Sequence, residues 1–343
     1  MKRPKILYLT LSLVVSGLLL GFLFSRIEIG DLVQTLRNIS RPALAAYAAC
    51  ALAGTWLRAW RYKRLLEPQH VGWGPILLVT FIRNSLVDLL PARLGSLSYI
   101  YVLNKRLGFP FETATSTFIL CFVLDFLTLG PFLGLAVLAA GLGSSIISGS
   151  RLLAASAAFF ILILLLLWKI IPLAVWALNR GKRILRALGW QDKRAVRVFE
   201  KKSADIIESL RLIRAGRVGP LVFLLSFLIR LAKYLAIFLL LIALLRSHGF
   251  SPAMPDFWKT ILGTSGAELT SILPIKGLAG FGTWETAWAL TFQLLDFEPR
   301  LAVVSGLGIH LITNLFEYSL GILSLFILAL PYFKITRRQH DSL

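Results

Sequence analysis

The sequence has little of the chemistry that binds metals or forms disulfides. Among 343 residues there are two cysteines and four histidines. Cys50 and Cys121 both lie in apolar segments and fit no disulfide or zinc spacing, and the histidines are scattered along the chain. We therefore expect no disulfide framework, no metal site and no cofactor.

Charged residues are also scarce. They make up 16% of the chain, whereas hydrophobic residues make up 57% and the mean hydropathy is +0.76. Soluble domains are about half apolar and a quarter charged, so this composition indicates an integral membrane protein. We predict one all-α polytopic membrane domain over residues 1–343, with about six full transmembrane helices.

Acidic residues are the scarcer charge, with 17 Asp and Glu against 37 Lys and Arg and a net charge of +20. Such an excess can indicate nucleic-acid binding, but there the bases cluster on one soluble face. In this chain they fall between apolar runs, as expected for cytoplasmic loops. We therefore expect membrane lipids as partners and no nucleic acid.

The order of apolar and basic stretches predicts the topology, with both termini in the cytoplasm. The predicted spans are 6–24, 42–60, 111–142, 152–178, 218–245 and 301–331. Residues 26–41 are predicted to form a short outer loop. Arg58, Arg61 and Lys169 lie near span ends, where their side chains are expected to extend towards water.

A basic segment, 179–217, separates the two halves of the chain. It holds 12 Lys and Arg against four acidic residues. It is predicted to be the main cytoplasmic loop, either as amphipathic helices against anionic headgroups or as a solvated loop that sets the topology.

Two apolar segments, 75–107 and 257–297, are broken by proline and glycine, and Pro91 and Pro274 lie 183 residues apart (274 − 91). We interpret them as re-entrant helical hairpins that enter from opposite sides and form an inverted repeat, as in many transporters. Irregular backbone at membrane depth must face protein or a water-filled cavity, so a cavity is predicted. If 75–107 held one full crossing instead, the repeats would be parallel.

Ten charged residues lie inside or at the rim of these apolar segments. They are Arg83, Asp88, Arg93, Asp125, Arg230, Lys233, Glu268, Lys276, Glu285 and Glu317. Each costs about 2.5–3.5 kcal/mol at the bilayer centre on insertion scales. Five acids and five bases indicate mutual pairing, either at a functional site or only to hold helices together.

The second break resembles an anion site. Gly277, Gly280 and Gly282 allow close approach of the backbone, and a helix that begins inside the membrane points N–H groups at an anion. The spacing is not that of a nucleotide-binding loop, so a lipid headgroup fits better. His310, with Asn314 and Glu317 on the same helix face, is more typical of a structural histidine than of a proton relay.

Two motifs carry a family resemblance: Asn84…Leu90-Pro91-Ala92-Arg93-Leu94-Gly95…Asn104-Lys105-Arg106…Asp125, and Leu273-Pro274…Gly280-Phe281-Gly282-Thr283-Trp284-Glu285. From residue 40 to 330 the chain resembles the flippase-like membrane domain of lysylphosphatidylglycerol synthase, the N-terminal region of the multiple peptide resistance factor. The resemblance implies a cytoplasmic (inner) membrane protein with re-entrant helices that moves a lipid. Ser96 and Tyr99 depart from the family pattern, which often has an acid and a base there.

We therefore predict a flippase for an anionic or aminoacylated phospholipid or a polyprenyl-linked lipid. We expect a stand-alone member without the synthase domain and without enzymatic activity. A second copy of the chain or a separate lipid-synthesising enzyme is the expected protein partner. The predicted substrate-binding residues are Arg83, Asn84, Arg93, Asp125, Glu268, Lys276, Gly280, Gly282, Glu285 and Glu317. The alternatives are a membrane-embedded lipid-modifying enzyme and an accessory subunit that transports nothing.

Overall fold

The computed structural model describes residues 3–67, 69–87, 89, 91–140, 219–246, 257–270, 277 and 280–330, with single positions between 158 and 208. Side chains are described from residue 13 onwards, except at 91–93. The predicted span 152–178 and the basic loop 179–217 therefore lie outside the described residues, apart from those single positions. Lys276 and Asp88 also lie outside them.

The described part of the chain is helical and contains no strand, which confirms the predicted all-α class. A 3-10 helix, Pro91–Leu97, stands between the fourth and fifth α-helices. The α-helices, numbered along the chain, are α1 Arg3–Phe24, α2 Ile29–Arg37, α3 Arg41–Leu65, α4 Trp73–Leu86, α5 Ser98–Lys105, α6 Phe111–Ala139, α7 Gly219–Leu245, α8 Phe257–Leu269, α9 Thr283–Leu294 and α10 Pro299–Ala329.

Three of the described helices, α6, α7 and α10, are long and apolar enough to cross a membrane. The helices α1 and α2 meet at 83°, and a fourth crossing is obtained if the two are counted as one broken span. These helices identify a membrane protein, and α7 and α10 begin and end within two residues of the spans predicted at 218–245 and 301–331.

Residues 26–41 were predicted to be a loop, but most of them form α2. Its start is fixed by a reciprocal cap, in which the backbone N–H of Glu28 donates to Asp31 Oδ2 at 3.2 Å. The helix is short and amphipathic, and Ile29 and Val33 are exposed. One face of α2 packs on α10, where Arg300 forms an ion pair with Asp31.

The eight described helices after α2 fall into two corresponding sets. The first set, α3 to α6, begins at residues 41, 73, 98 and 111, and the second set, α7 to α10, begins at 219, 257, 283 and 299. In each set a long helix is followed by two short helices around a break and then by another long helix.

The packing repeats this correspondence. The opening helices α3 and α7 pack on each other. The first short helix of each set packs on the closing helix of the other set, so that α4 lies on α10 and α8 lies on α6. The second short helix packs on the closing helix of its own set, α5 on α6 and α9 on α10. The two sets therefore form one interlocked bundle.

The close approach of α3 and α7 depends on small residues. A methyl group at Gly54 would lie 3.4 Å from Cβ of Ala232, and the thiol of Cys50 donates to the carbonyl of Ala232 at 3.2 Å. Small side chains at such crossings let helix backbones approach in membranes, where packing rather than hydrophobicity drives association.

The break after α4 is equally tight. Gly95 lies against the end of α4, where a Cβ atom would overlap the carbonyl oxygen of Leu86. The overlap is with backbone, which cannot rotate away, so the turn of the first break depends on a residue without a side chain at this position.

We expect Gly95→Ala to lower the free energy of unfolding by about 1–3 kcal/mol, as overpacking does in other tightly packed sites. Unfolding by SDS in mixed micelles would measure it. Gly74→Ala is the matched control, because a methyl group there meets open space within α4. Equal stability of the two variants would contradict the tight turn.

Candidate functional site

A cavity of about 230 Å³ lies between the two sets of helices and is lined by side chains of α3, α4 and α6 to α10. Its wall is unusually polar for a membrane bundle. The charged lining residues are Arg58, Arg83, Asp125, Arg230, Lys233, Glu268 and Glu317. Charged groups inside a membrane are costly and mark substrate or ion pathways, so this cavity is the candidate site.

Asp125 is held from behind by Arg61. The guanidinium Nη1 of Arg61 donates to Asp125 Oδ1 at 2.6 Å and to Ser226 Oγ at 2.9 Å. Arg61 is 0% exposed, whereas the side chain of Asp125 is 27% exposed towards the cavity. The interaction joins α3, α6 and α7 at one point.

The expectation that Arg58 and Arg61 extend towards water at a span end is wrong. The helix α3 continues to Leu65, five residues beyond the predicted end, so both arginines lie well inside it. Arg61 is fully buried and Arg58 lines the cavity. Burial is tolerated because each guanidinium has a hydrogen-bond acceptor on a neighbouring helix.

Two bases of α7 bind neighbouring helices, Arg230 on the side of α6 and Lys233 on the side of α8. Arg230 Nε donates to Thr128 Oγ1 at 3.2 Å, and its Nη2 donates to the backbone carbonyl of Asp125 on α6. Lys233 forms an ion pair with Glu268 near the end of α8. The pairing expected between intramembrane acids and bases is therefore confirmed for Lys233 and Glu268.

Arg58 and Arg83 converge on one neutral oxygen. Arg58 Nη1 donates to Asn84 Oδ1 at 2.6 Å, and Arg83 Nη1 donates to the same atom at 3.3 Å. The amide nitrogen of Asn84 donates to Thr55 Oγ1 at 3.3 Å, which fixes the orientation of the amide. Two guanidinium groups thus share one uncharged acceptor at the wall of the cavity.

Another part of the wall is formed by the polar face of α10. His310, Thr313, Asn314 and Glu317 all line the cavity, as their spacing on one helix face predicts. The amide nitrogen of Asn314 is buried without a hydrogen-bond partner among the described residues. This face therefore offers donors and acceptors to a polar ligand.

The second break closes behind this wall. Gly280 and Gly282 have φ values of 84° and 87°, which favour glycine. Glu285 is fully buried: its Oε2 accepts from the N–H of Gly282 at 2.8 Å, and its Oε1 lies 2.6 Å from Nδ1 of His310. The start of α9 is thus fixed to the polar face of α10.

Aromatic rings and α1 complete the packing around this break. The ring of His310 stacks on Trp284, with centroids 5.1 Å apart, and lies 4.7 Å from the ring of Phe281. Ser16 of α1 donates its hydroxyl to the carbonyl of Phe281 at 3.0 Å. The break is therefore held by α1, α9 and α10 together.

The structure brings half of the predicted site residues to one cavity: Arg83, Asn84, Asp125, Glu268 and Glu317. Gly280, Gly282 and Glu285 do not line the cavity. They lie behind Trp284 and His310, whose side chains do line it. The side chain of Arg93 and the whole of Lys276 lie outside the described residues. The sequence prediction did not include Arg58 among the site residues. The spacing of Arg58 and Arg61, three residues apart on one helix face, was a signal that both could face the same charged site.

We expect Asp125→Ala to lower the free energy of unfolding by about 3–5 kcal/mol, because it leaves Arg61 buried without its counter-ion. Thermal unfolding in detergent would measure the loss. The control is Glu67→Ala, which breaks the exposed pair with Arg64 and should cost less than about 1 kcal/mol. The double variant Arg61→Leu/Asp125→Leu should recover most of the stability; no recovery would contradict the counter-ion role.

We expect Glu285→Ala to speed amide hydrogen exchange at Gly282 by about tenfold or more, because the amide loses its buried acceptor. Exchange measured by mass spectrometry on peptides that contain Gly280–Glu285 would test this. Glu298→Ala at the start of α10 is the control, since its side chain is exposed and caps no amide. Unchanged exchange in Glu285→Ala would rule out the capping role.

Comparison with known proteins agrees with the expected resemblance. None of the curated proteins compared with the chain matches it. The family model described as the lysylphosphatidylglycerol synthase TM region matches residues 9–321, which include every described helix of both sets apart from the last turns of α10. The protein therefore belongs to the family of the lysylphosphatidylglycerol synthase transmembrane region.

Proposed function

We propose that this protein is a flippase, which moves a lipid with an anionic headgroup across the cytoplasmic membrane. The observation that carries the proposal is the charged cavity between the two sets of helices. A headgroup would cross the bilayer through this polar space while the acyl or polyprenyl tails stay in the hydrocarbon region. The polar side chains of the cavity wall would then replace the water molecules that the headgroup loses.

The charge balance of the cavity favours an anion. Five bases lie in its wall or directly behind it, against four acids: Arg58, Arg61, Arg83, Arg230 and Lys233 against Asp125, Glu268, Glu285 and Glu317. Arg61 neutralises Asp125 and Lys233 neutralises Glu268. An excess of positive charge inside a membrane is costly, and a bound phosphate would lower that cost.

The arrangement of the helices supports alternating access. The corresponding packing of the two sets fits an inverted repeat. In the proposed architecture, 75–107 and 257–297 are re-entrant hairpins that enter from opposite sides. The protein then has six full spans and both termini in the cytoplasm. In transporters of this kind the substrate lies at the interface between the repeats, near the bilayer midplane. The cavity has that position relative to the two sets.

The family supports a lipid as the cargo. Its description names a synthase whose product is a phospholipid, so an aminoacylated or other anionic phospholipid is the first class to test, and polyprenyl-linked lipids are the second. The sequence has no nucleotide-binding loop, and the proposed driving force is therefore an ion gradient or mass action. A separate lipid-synthesising enzyme would supply the cargo.

The experiment is lipid translocation in proteoliposomes that contain fluorescent NBD-phosphatidylglycerol. Dithionite quenches only the fluorophores of the outer leaflet, so a protein that moves the lipid raises the quenched fraction above that of protein-free vesicles. We expect the purified protein to raise it and Ala51→Trp to abolish the increase, because Ala51 lines the cavity and tryptophan would fill much of it.

The control variant is Leu52→Trp, the neighbouring position on α3, whose side chain is 42% exposed and is not part of the cavity wall. It should translocate as well as the wild type. The proposal fails if the folded wild type moves neither phosphatidylglycerol nor a polyprenyl phosphate, or if Ala51→Trp moves them as fast as Leu52→Trp.

A further inference from the structure

We propose that Arg58, Arg83 and Asn84 form the phosphoryl-binding part of the cavity, and that the uncharged side chain of Asn84 is the feature that makes this part bind an anion. The inference rests on the proposed function, since it names the headgroup chemistry that the cavity takes. It also assigns the two ends of the cavity different roles.

The geometry around Asn84 favours an anion. Both guanidinium groups point at Asn84 Oδ1, at 2.6 Å from Arg58 Nη1 and 3.3 Å from Arg83 Nη1. An amide oxygen carries no net charge and cannot neutralise either cation. A phosphate oxygen can accept from both at once, and guanidinium groups bind phosphate through two parallel N–H donors.

Both arginines also have N–H donors that remain unused within the described part of the chain. Nε of Arg58 and Nε of Arg83 are buried and have no hydrogen-bond partner among the described residues. A guanidinium carries five N–H donors. Buried donors without acceptors are costly, and a ligand with several acceptor oxygens would remove that cost at both arginines.

A carboxylate of the same cavity, Asp125, is already paired with another arginine. Asp125 lines the same cavity, but its Oδ1 accepts from the fully buried Arg61 at 2.6 Å, and Arg230 binds its backbone carbonyl. The charge of Asp125 is therefore compensated from behind. Among the described residues, Asp125 makes no hydrogen bond to Arg58 or Arg83, and it shares its single charge with Arg61.

In the second set of helices, the residue that corresponds to Asn84 is a carboxylate, Glu268. Asn84 lies two residues before the end of α4, and Glu268 lies one residue before the end of α8, the corresponding helix. On each side a base of the opening helix binds this residue, Arg58 of α3 in the first set and Lys233 of α7 in the second. The second pair is neutral as a whole and the first is positive.

The two ends of the cavity therefore differ in charge although their geometry corresponds. The Lys233–Glu268 end is an ion pair that holds α7 to α8. The Arg58–Asn84 end, with Arg83 added, is left for an anion. The ligand class is a phosphate monoester or diester, which a lipid headgroup and free phosphate share.

The decisive variant is Asn84→Asp. It keeps the size of the side chain and the acceptor for both arginines, but it supplies the missing negative charge from the protein. We expect it to weaken the binding of dihexanoyl-phosphatidylglycerol and of inorganic phosphate to the detergent-solubilised protein by about tenfold or more, with no loss of thermal stability. Isothermal titration calorimetry would measure both dissociation constants.

Three further measurements make the result unambiguous. Arg58→Gln should weaken both phosphate ligands as well, which covers the case in which Asn84→Asp does not fold. Glu67→Gln, an exposed position outside the cavity, should leave both constants unchanged. Dihexanoylglycerol, which has the same tails and no phosphate, should bind far more weakly than dihexanoyl-phosphatidylglycerol. If dihexanoyl-phosphatidylglycerol binds more tightly than inorganic phosphate, the lipid is identified as the source of the phosphoryl group.

The proposal is overturned if folded Asn84→Asp, or folded Arg58→Gln in its place, binds both phosphate ligands as tightly as the wild type. It is also overturned if dihexanoylglycerol binds as tightly as dihexanoyl-phosphatidylglycerol. Failure here and failure of the flippase function are distinguishable. If the variants lose phosphate binding but the wild type moves no lipid, the phosphoryl site stands and transport is rejected. If the wild type moves lipid but folded Asn84→Asp binds both phosphate ligands as tightly as the wild type, the site is rejected and transport stands.

Discussion

The need to compensate charge away from water governs this structure. Arg61 has no exposed surface, and its ion pair with Asp125 is the point at which α3, α6 and α7 meet. A single buried cation of this kind is tolerable only with its counter-ion in place. Once the pair is formed, the remaining carboxylate surface faces the cavity. Arg58 and Arg230 are placed around it by α3 and α7, and Arg83 is added by α4.

The cavity and its surroundings show how charge can be distributed unequally over a corresponding framework. Both sets of helices place a base of the opening helix against a polar residue near the end of the first short helix. The chemistry of that residue, amide in one set and carboxylate in the other, decides whether the pair is closed or can accept a ligand. Two corresponding helix pairs can therefore differ in charge through the chemistry of a single side chain.

The sequence predicted the membrane class, the helical fold, the two breaks and five of the residues that line the cavity, because hydropathy, proline and glycine act locally. It did not predict α2, since nine residues of amphipathic helix resemble a mixed loop. It also misplaced Arg58 and Arg61, because the end of a span is poorly defined where basic residues begin. The partner of Asp125 was therefore missed: which base a buried acid meets depends on helix rotation and crossing, and neither is encoded in hydropathy.

The hydrogen bond from Ser16 to the carbonyl of Phe281 has a consequence for how the two halves can move. The helix α1 precedes both sets and packs on α9, so it supports the second break from outside the two sets. If the second set moves during the proposed transport, α1 must move with it or this hydrogen bond must break. The first break has a different constraint, the backbone fit of Gly95 against α4. The two sets therefore correspond in the order of their helices, whereas the contacts that hold their two breaks differ.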